Sequence, residues 1–119
     1  MSGNEKSSPT LLRSVAELDA ALAVPGVVLL FKHSTACPIS AAAYDEYLEF
    51  LGGPGRSTRS AVIRVIEERP VSNHAATELG VRHESPQALL VRDGKLVWNA
   101  SHRAITSKAL AQAVRDASK

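Results

Sequence analysis

Cysteine is nearly absent: the 119-residue chain has one, Cys37. A lone thiol excludes an intrachain disulfide framework and a cysteine-rich zinc site, so any redox chemistry must run between molecules. Aromatic residues are scarce at 4%, which leaves few platforms for stacking single-stranded bases. A dominant charge is missing too. Fourteen Lys and Arg against twelve Asp and Glu give a formal charge of +2, and no basic run marks a nucleic-acid surface. The longest apolar run, Val24 to Phe31, falls far short of the ~20 residues that cross a bilayer. Met1 to Thr10 lacks the apolar segment of a secretory signal. Together these absences lead to the expectation of a soluble, cytoplasmic protein with neither nucleic-acid nor membrane partners.

What is present suits one globular domain: 45% hydrophobic and 22% charged residues in a chain long enough for a single core. Residues 1–10 form a polar lead-in, and 11–119 are expected to fold. Ser14-Val15-Ala16-Glu17 has the form of a capping box, and Val15, Leu18 and Leu22 recur at helical spacing until Pro25-Gly26. Val27 to Lys32 reads as a buried strand, and Pro38 to Leu51 as an Ala-rich helix ended by Gly52-Gly53-Pro54-Gly55. Ala61 to Ile66 reads as a second strand, parallel to the first through a right-handed crossover. Ser72 is the expected cap of a short helix over 73–79, closed by Gly80. Asp93-Gly94 between two apolar segments predicts a hairpin of strands 87–92 and 95–100, and Thr106 caps a last helix. The fold class is therefore α/β.

Cys37 stands between the first strand and the helix opened by Pro38. Unpaired N–H groups and the positive end of the helix dipole stabilise a thiolate at such a point relative to the thiol. A structural, buried cysteine is the competing reading, but Lys32, His33, Ser34 and Thr35 are poor company for one. Three residues on, where a dithiol motif has its second sulfur, stands Ser40. Its hydroxyl cannot form a disulfide, although it could donate a hydrogen bond to the thiolate. Lys32 and His33 are candidate activators by charge, but side chains alternate along a strand and only one is expected to face Cys37. His74, His83 and His102 match no compact metal-ligand spacing, so no metal site is expected. Asp45 and Glu46 read as a solvated helix face, and Trp98 as packing against the sheet or the last helix.

The segments Phe-Lys-His-Ser-Thr-x-Cys-Pro-Ile-Ser at 31–40, Arg-Pro-Val-Ser-Asn at 69–73, Gly-Val-Arg-His-Glu-Ser-Pro-Gln-Ala at 80–88 and Ala-Ser-His at 100–102 resemble the monothiol bacilliredoxins, the YtxJ-like family. After Ser101-His102 this chain has Arg103-Ala104-Ile105, where the family carries an aromatic. The resemblance implies a thioredoxin-like fold with a four-stranded mixed sheet flanked by helices. It implies a monothiol thiol–disulfide oxidoreductase in which Cys37 removes bacillithiol from mixed disulfides on other proteins. Bacillithiolated proteins and the low-molecular-weight thiol are then the partners, bacillithiol is a cosubstrate, and no cofactor is tightly bound. It also implies that Pro86 is a cis-proline facing Cys37, and that Ser85, Pro86, Pro38 and Ser40 bind the cosubstrate, with the Ser85 backbone offered to an extended thiol substrate. The alternative is a thioredoxin-like binding or redox-sensing module whose cysteine is modified without rapid turnover.

Overall fold

The computed structural model describes residues 9–119. Residues 1–8 of the expected polar lead-in lie outside the described residues, and Thr10 belongs to a strand. In chain order the elements are β1 (Thr10–Leu11), α1 (Val15–Ala23), β2 (Val27–His33), α2 (Pro38–Leu51), β3 (Arg59–Arg64), α3 (Arg69–Leu79), β4 (Gln87–Arg92), β5 (Lys95–Ser101), a 3-10 turn (His102–Ala104) and α4 (Ser107–Ala117). The strands form one mixed sheet in the order β1-β3-β2-β4-β5. β3 runs parallel to β1 and β2, and β4 antiparallel to β2 and β5. Five strands thus replace the expected four. The additional one, β1, consists of two residues paired with Ala61 and Val62, too short to show any alternation in sequence.

Local chemistry explains the element ends. Ser14 Oγ accepts the Glu17 N–H at the start of α1, and Thr106 Oγ1 accepts the Ala109 N–H at the start of α4. Gly80 closes α3 in the left-handed region at φ 62°, where a Cβ would be strained. Asp93 and Gly94 take φ 51° and 82° in the hairpin, the pair of positive values that a tight two-residue turn needs. α3 starts at Arg69 with Glu68 as its cap residue, one turn before the expected cap at Ser72. Ser72 is buried inside the helix instead. β3 begins two residues earlier than its apolar run, because Arg59 and Ser60 pair with Val28 and Leu29.

The sheet separates two cores. On one face Leu29, Phe31, Leu90 and Val62 pack with Tyr47, Phe50 and Leu51 of α2 and Leu110 of α4. On the other, Leu30, Ile63, Leu89 and Val91 pack with Leu18 of α1 and Val71 and Ala75 of α3. A bulge in the hairpin breaks the alternation of β5, since Leu90 pairs with Trp98 but Val91 with Leu96, leaving Val97 unpaired. Trp98 consequently packs on the α2/α4 side, as expected, while Leu96 packs on the α1/α3 side. No helix among the described residues is long and apolar enough to cross a membrane.

Candidate active site

The strong β-former run Val27 to Phe31 carries β2 through the middle of the sheet, and after four intervening residues Pro38 restarts the chain as a helix. Cys37 is the N-cap residue of α2, half-buried and extended at φ −117°, ψ 124°. Its carbonyl accepts the Ala41 N–H at 3.0 Å, and its N–H donates to the Ser34 carbonyl at 3.3 Å. Both backbone bonds hold the thiol at the first turn of the helix. Pro38, beside it, is exposed.

His33 and Lys32 part at the end of β2. His33 lies on the α2 side, its ring stacked on Tyr44 with centroids 4.4 Å apart. Its Nδ1 is 2.8 Å from Ser40 Oγ, and that oxygen also accepts the Ser34 N–H at 2.9 Å. Ser40 is fully buried. With no other acceptor within reach among the described residues, its proton goes to His33 Nδ1, which fixes the ring proton on Nε2. Two expectations change as a result. The hydrogen bond from Ser40 to the Cys37 sulfur is not formed, and the buried Ser40 is a positioning residue that ties α2 to β2, not a surface for cosubstrate. Burial lowers the pKa of His33 below its ordinary 6.5, with Glu67 opposing, so the ring is uncharged at neutral pH and supplies no cation.

Lys32 turns to the other face, opposite Gln87 and Ile63. It is fully buried, with Nζ 3.0 Å from His83 Nδ1, and Ser72 Oγ lies 3.4 Å from the same nitrogen. No carboxylate pairs with it among the described residues, and burial pushes its pKa from 10.5 down to about 8. Burial, and then the charge of Lys32, lower the pKa of His83 as well.

Lys32 pairs with Gln87 across β2 and β4, so Pro86 continues the register at the sheet end where the chain leaves for Cys37. The Ser85–Pro86 bond is cis. The Pro86 carbonyl accepts the His102 N–H at 3.1 Å, which brings the 3-10 turn to the same end. Pro86 itself is buried, whereas Ser85 is half-buried and its Oγ is enclosed without a hydrogen-bond partner among the described residues.

The other histidines do not gather at Cys37. His74 Nε2 meets Asp19 Oδ1 at 2.9 Å between α1 and α3, and with Glu78 these make the one grouping of three metal-capable ligands among the described residues. His102 Nε2 lies 3.6 Å from Glu84 Oε1. Asp45 is exposed as expected, but Glu46 is not simply solvated. Its Oε1 accepts the Ser107 N–H at 2.7 Å, placing a carboxylate on the positive end of α4. Sequence reasoning also missed a groove of about 400 Å³ that begins at Pro38 and runs between α2 and the 3-10 turn. Ile39, Ala42, Ala43 and Glu46 form its α2 wall. Their spacing of three and four residues was a readable signal of one helix face. The facing wall, from His102 to Thr106, had no such signal because it is brought there by the sheet.

Comparison with known proteins is consistent with this geometry. A family profile described as monothiol bacilliredoxin BrxC matches residues 10–110. A solved structure described as an oxidoreductase with a thioredoxin fold is 37% identical, covers 88% of this chain and 92% of its own, and superposes with a TM-score of 0.81. Mitochondrial thioredoxin 3 of Saccharomyces cerevisiae shares 16% identity over 97% of this chain and 99% of its own, with a TM-score of 0.73. A thioredoxin from Halobacterium salinarum shares 19% over 96% and 94%, with a TM-score of 0.75. The last two establish the fold alone, which is that of thioredoxin.

Proposed function

The chain belongs to the monothiol bacilliredoxin family, and from that premise we propose that Cys37 removes bacillithiol from proteins that carry it as a mixed disulfide. Thiol–disulfide exchange is the chemistry common to the family and the fold. One observation supports the one-thiol form of it most directly. The position one helical turn beyond Cys37 is held by Ser40, whose hydroxyl is bound to His33 and Ser34, so the cysteine has no internal partner.

In the proposed step the Cys37 thiolate attacks the bacillithiol sulfur of the modified protein. A Cys37–bacillithiol disulfide forms, the protein–bacillithiol disulfide breaks, and the released protein thiolate takes a proton from solvent. A second low-molecular-weight thiol, as thiolate, then attacks the Cys37-bound bacillithiol. That step forms a small-molecule disulfide and returns Cys37 to its starting state. One disulfide is consumed and one formed at each exchange, so no further oxidant or reductant enters. Ser85 and Pro86, at the same end of the sheet, are proposed to receive the substrate backbone, and the enclosed, unpartnered Ser85 Oγ is consistent with a polar contact made there on binding. Bacillithiol is accordingly a cosubstrate, and the cytoplasm, where thiols are kept reduced, suits the cycle.

The test is release of bacillithiol from a modified protein, followed by mass spectrometry. Cys37→Ser is expected to bring release down to the uncatalysed rate, while Ser40→Ala retains turnover because the hydroxyl is not a redox partner. Turnover by the Cys37→Ser protein would sink the proposal. Modification of Cys37 without release by any added thiol would favour the sensing module instead.

A further inference from the structure

We infer that the groove between α2 and the 3-10 turn holds the carboxylate-bearing arm of bacillithiol while its sulfur is joined to Cys37, and that Arg103 is the cation that recognises it. The inference rests on the bacillithiol reading above and adds to it a ligand subsite. Three observations carry it. The groove starts at Pro38, the residue after the thiol, so it opens beside the backbone that carries Cys37. From Pro38 to Glu46 the helix advances about 12 Å, and about 400 Å³ lies within the range of ~300–1,000 Å³ that small-molecule sites occupy. The lining joins apolar Ile39, Ala42 and Ile105 with polar Glu46, His102, Arg103 and Thr106.

The charges along the groove decide the class of ligand. Glu46 is committed to the Ser107 N–H, and its charge is balanced there by the N-terminus of α4. His102 has Glu84 at 3.6 Å. Arg103 is exposed and, among the described residues, has neither an ion-pair nor a hydrogen-bond partner. A guanidinium offers a planar fork of donors that matches a carboxylate. Bacillithiol carries its carboxylates on a malate group at the end remote from the sulfur, the order in which a ligand anchored at Cys37 would meet Arg103. The 3-10 turn presents this residue through a positive φ of 55° at His102, and the His102 N–H fastens the turn to the Pro86 carbonyl. Arg103 therefore sits on a support tied to the active end of the sheet.

The test is an exchange that conserves disulfides: Cys37 linked to cysteamine, plus bacillithiol, gives Cys37 linked to bacillithiol, plus cysteamine. Cysteamine has no carboxylate, so it reports sulfur chemistry alone. The full chain is equilibrated with both thiols and the two adducts are measured by intact mass. Arg103→Met, which keeps an apolar stem and removes the charge, is expected to shift the adduct ratio about tenfold away from bacillithiol. Arg103→Lys should restore part of the preference, and high salt should weaken it in the wild type. A ratio in Arg103→Met within about twofold of wild type would overturn the subsite. This readout needs no turnover. A chain that shows the Arg103-dependent ratio but fails to release bacillithiol from proteins would keep the subsite and lose the proposed activity, whereas release with an Arg103-independent ratio would do the reverse.

Discussion

Two consecutive residues of β2 meet the two faces of one sheet, and the molecule treats their polarity differently. On the α2 side, His33 is uncharged, Ser40 uses both its donor and acceptor capacity, and the polar group beside the thiol is satisfied by neutral hydrogen bonds. On the α3 side, Lys32 is fully buried, and its one hydrogen-bond partner among the described residues is the His83 ring. A neutral buried pair costs little once bonded, whereas a buried ammonium without a carboxylate loses hydration that an imidazole only partly replaces. The pair on the thiol's side of β2 is thus uncharged, and the pair behind it stores a charge with no carboxylate opposite it among the described residues.

That contrast can be broken most strongly at Lys32. A shift from 10.5 to about 8 corresponds to about 3 kcal/mol of penalty on the charged form, so Lys32→Met is expected to raise stability at pH 7 by about 1–3 kcal/mol in urea unfolding. The pH dependence carries its own sign. Between pH 8 and 10.5 the unfolded chain keeps a lysine proton that the folded chain has released, so wild-type stability should rise across that interval. Burial holds the Tyr47 phenol protonated in the fold, which lowers stability above about pH 10, the unfolded tyrosine value. The usable window is therefore pH 8 to 10, and the difference between wild type and Lys32→Met across it isolates the lysine. A flat difference would mean that Lys32 is not paying for its burial.

Ser40→Ala sharpens the other side of the comparison. It strips Ser34 N–H and His33 Nδ1 of a shared partner and is expected to lower stability by about 1–2 kcal/mol. Thermal and urea unfolding would check this, and no loss would mean that water replaces the hydroxyl without cost. The smallest effect concerns acid. His33 and His83 both have pKa values lowered by burial, so the unfolded chain binds protons first as pH falls through about 6.5, and stability should decline below that pH. His83→Asn should reduce the decline, and an unchanged acid limb would remove His83 from the account.

Much of this arrangement was legible in the chain, for reasons that differ by residue. Cys37 was placed by Pro38 and the apolar run before it, and the hairpin by Asp93-Gly94, because turn and cap chemistry is local. The start of α3 was misplaced because Ser72 has the residue type of a cap but is buried near His83, and an interior role leaves the same letter in the sequence. β3 was shifted because its first two residues, Arg59 and Ser60, owe their strand state to partners on β2 and not to their own propensity. The Lys32–His83 contact joins positions fifty-one apart. Nothing in either neighbourhood indicates it. The family resemblance, in contrast, is carried by residues 31–40, 69–73, 80–88 and 100–102, and the loops after β2 and before β4 among these lie at the same end of the sheet.

The unpaired Val97 has a consequence for how the protein meets its neighbours in a crowded solution. β5 is an edge strand among the described residues, and a long, flat edge offers its free amides and carbonyls to any passing strand. The extra residue twists this edge and lets β5 serve two cores at once, Leu96 on one side and Trp98 with Ala100 on the other. A strand docking from outside would find no single regular register to copy. Deleting Val97 would straighten the edge and restore a regular register, with Leu96 and Trp98 then adjacent and still on opposite faces. The same exposed residue whose insertion sets Leu96 against one core and Trp98 against the other thus guards the sheet against growing by one more strand.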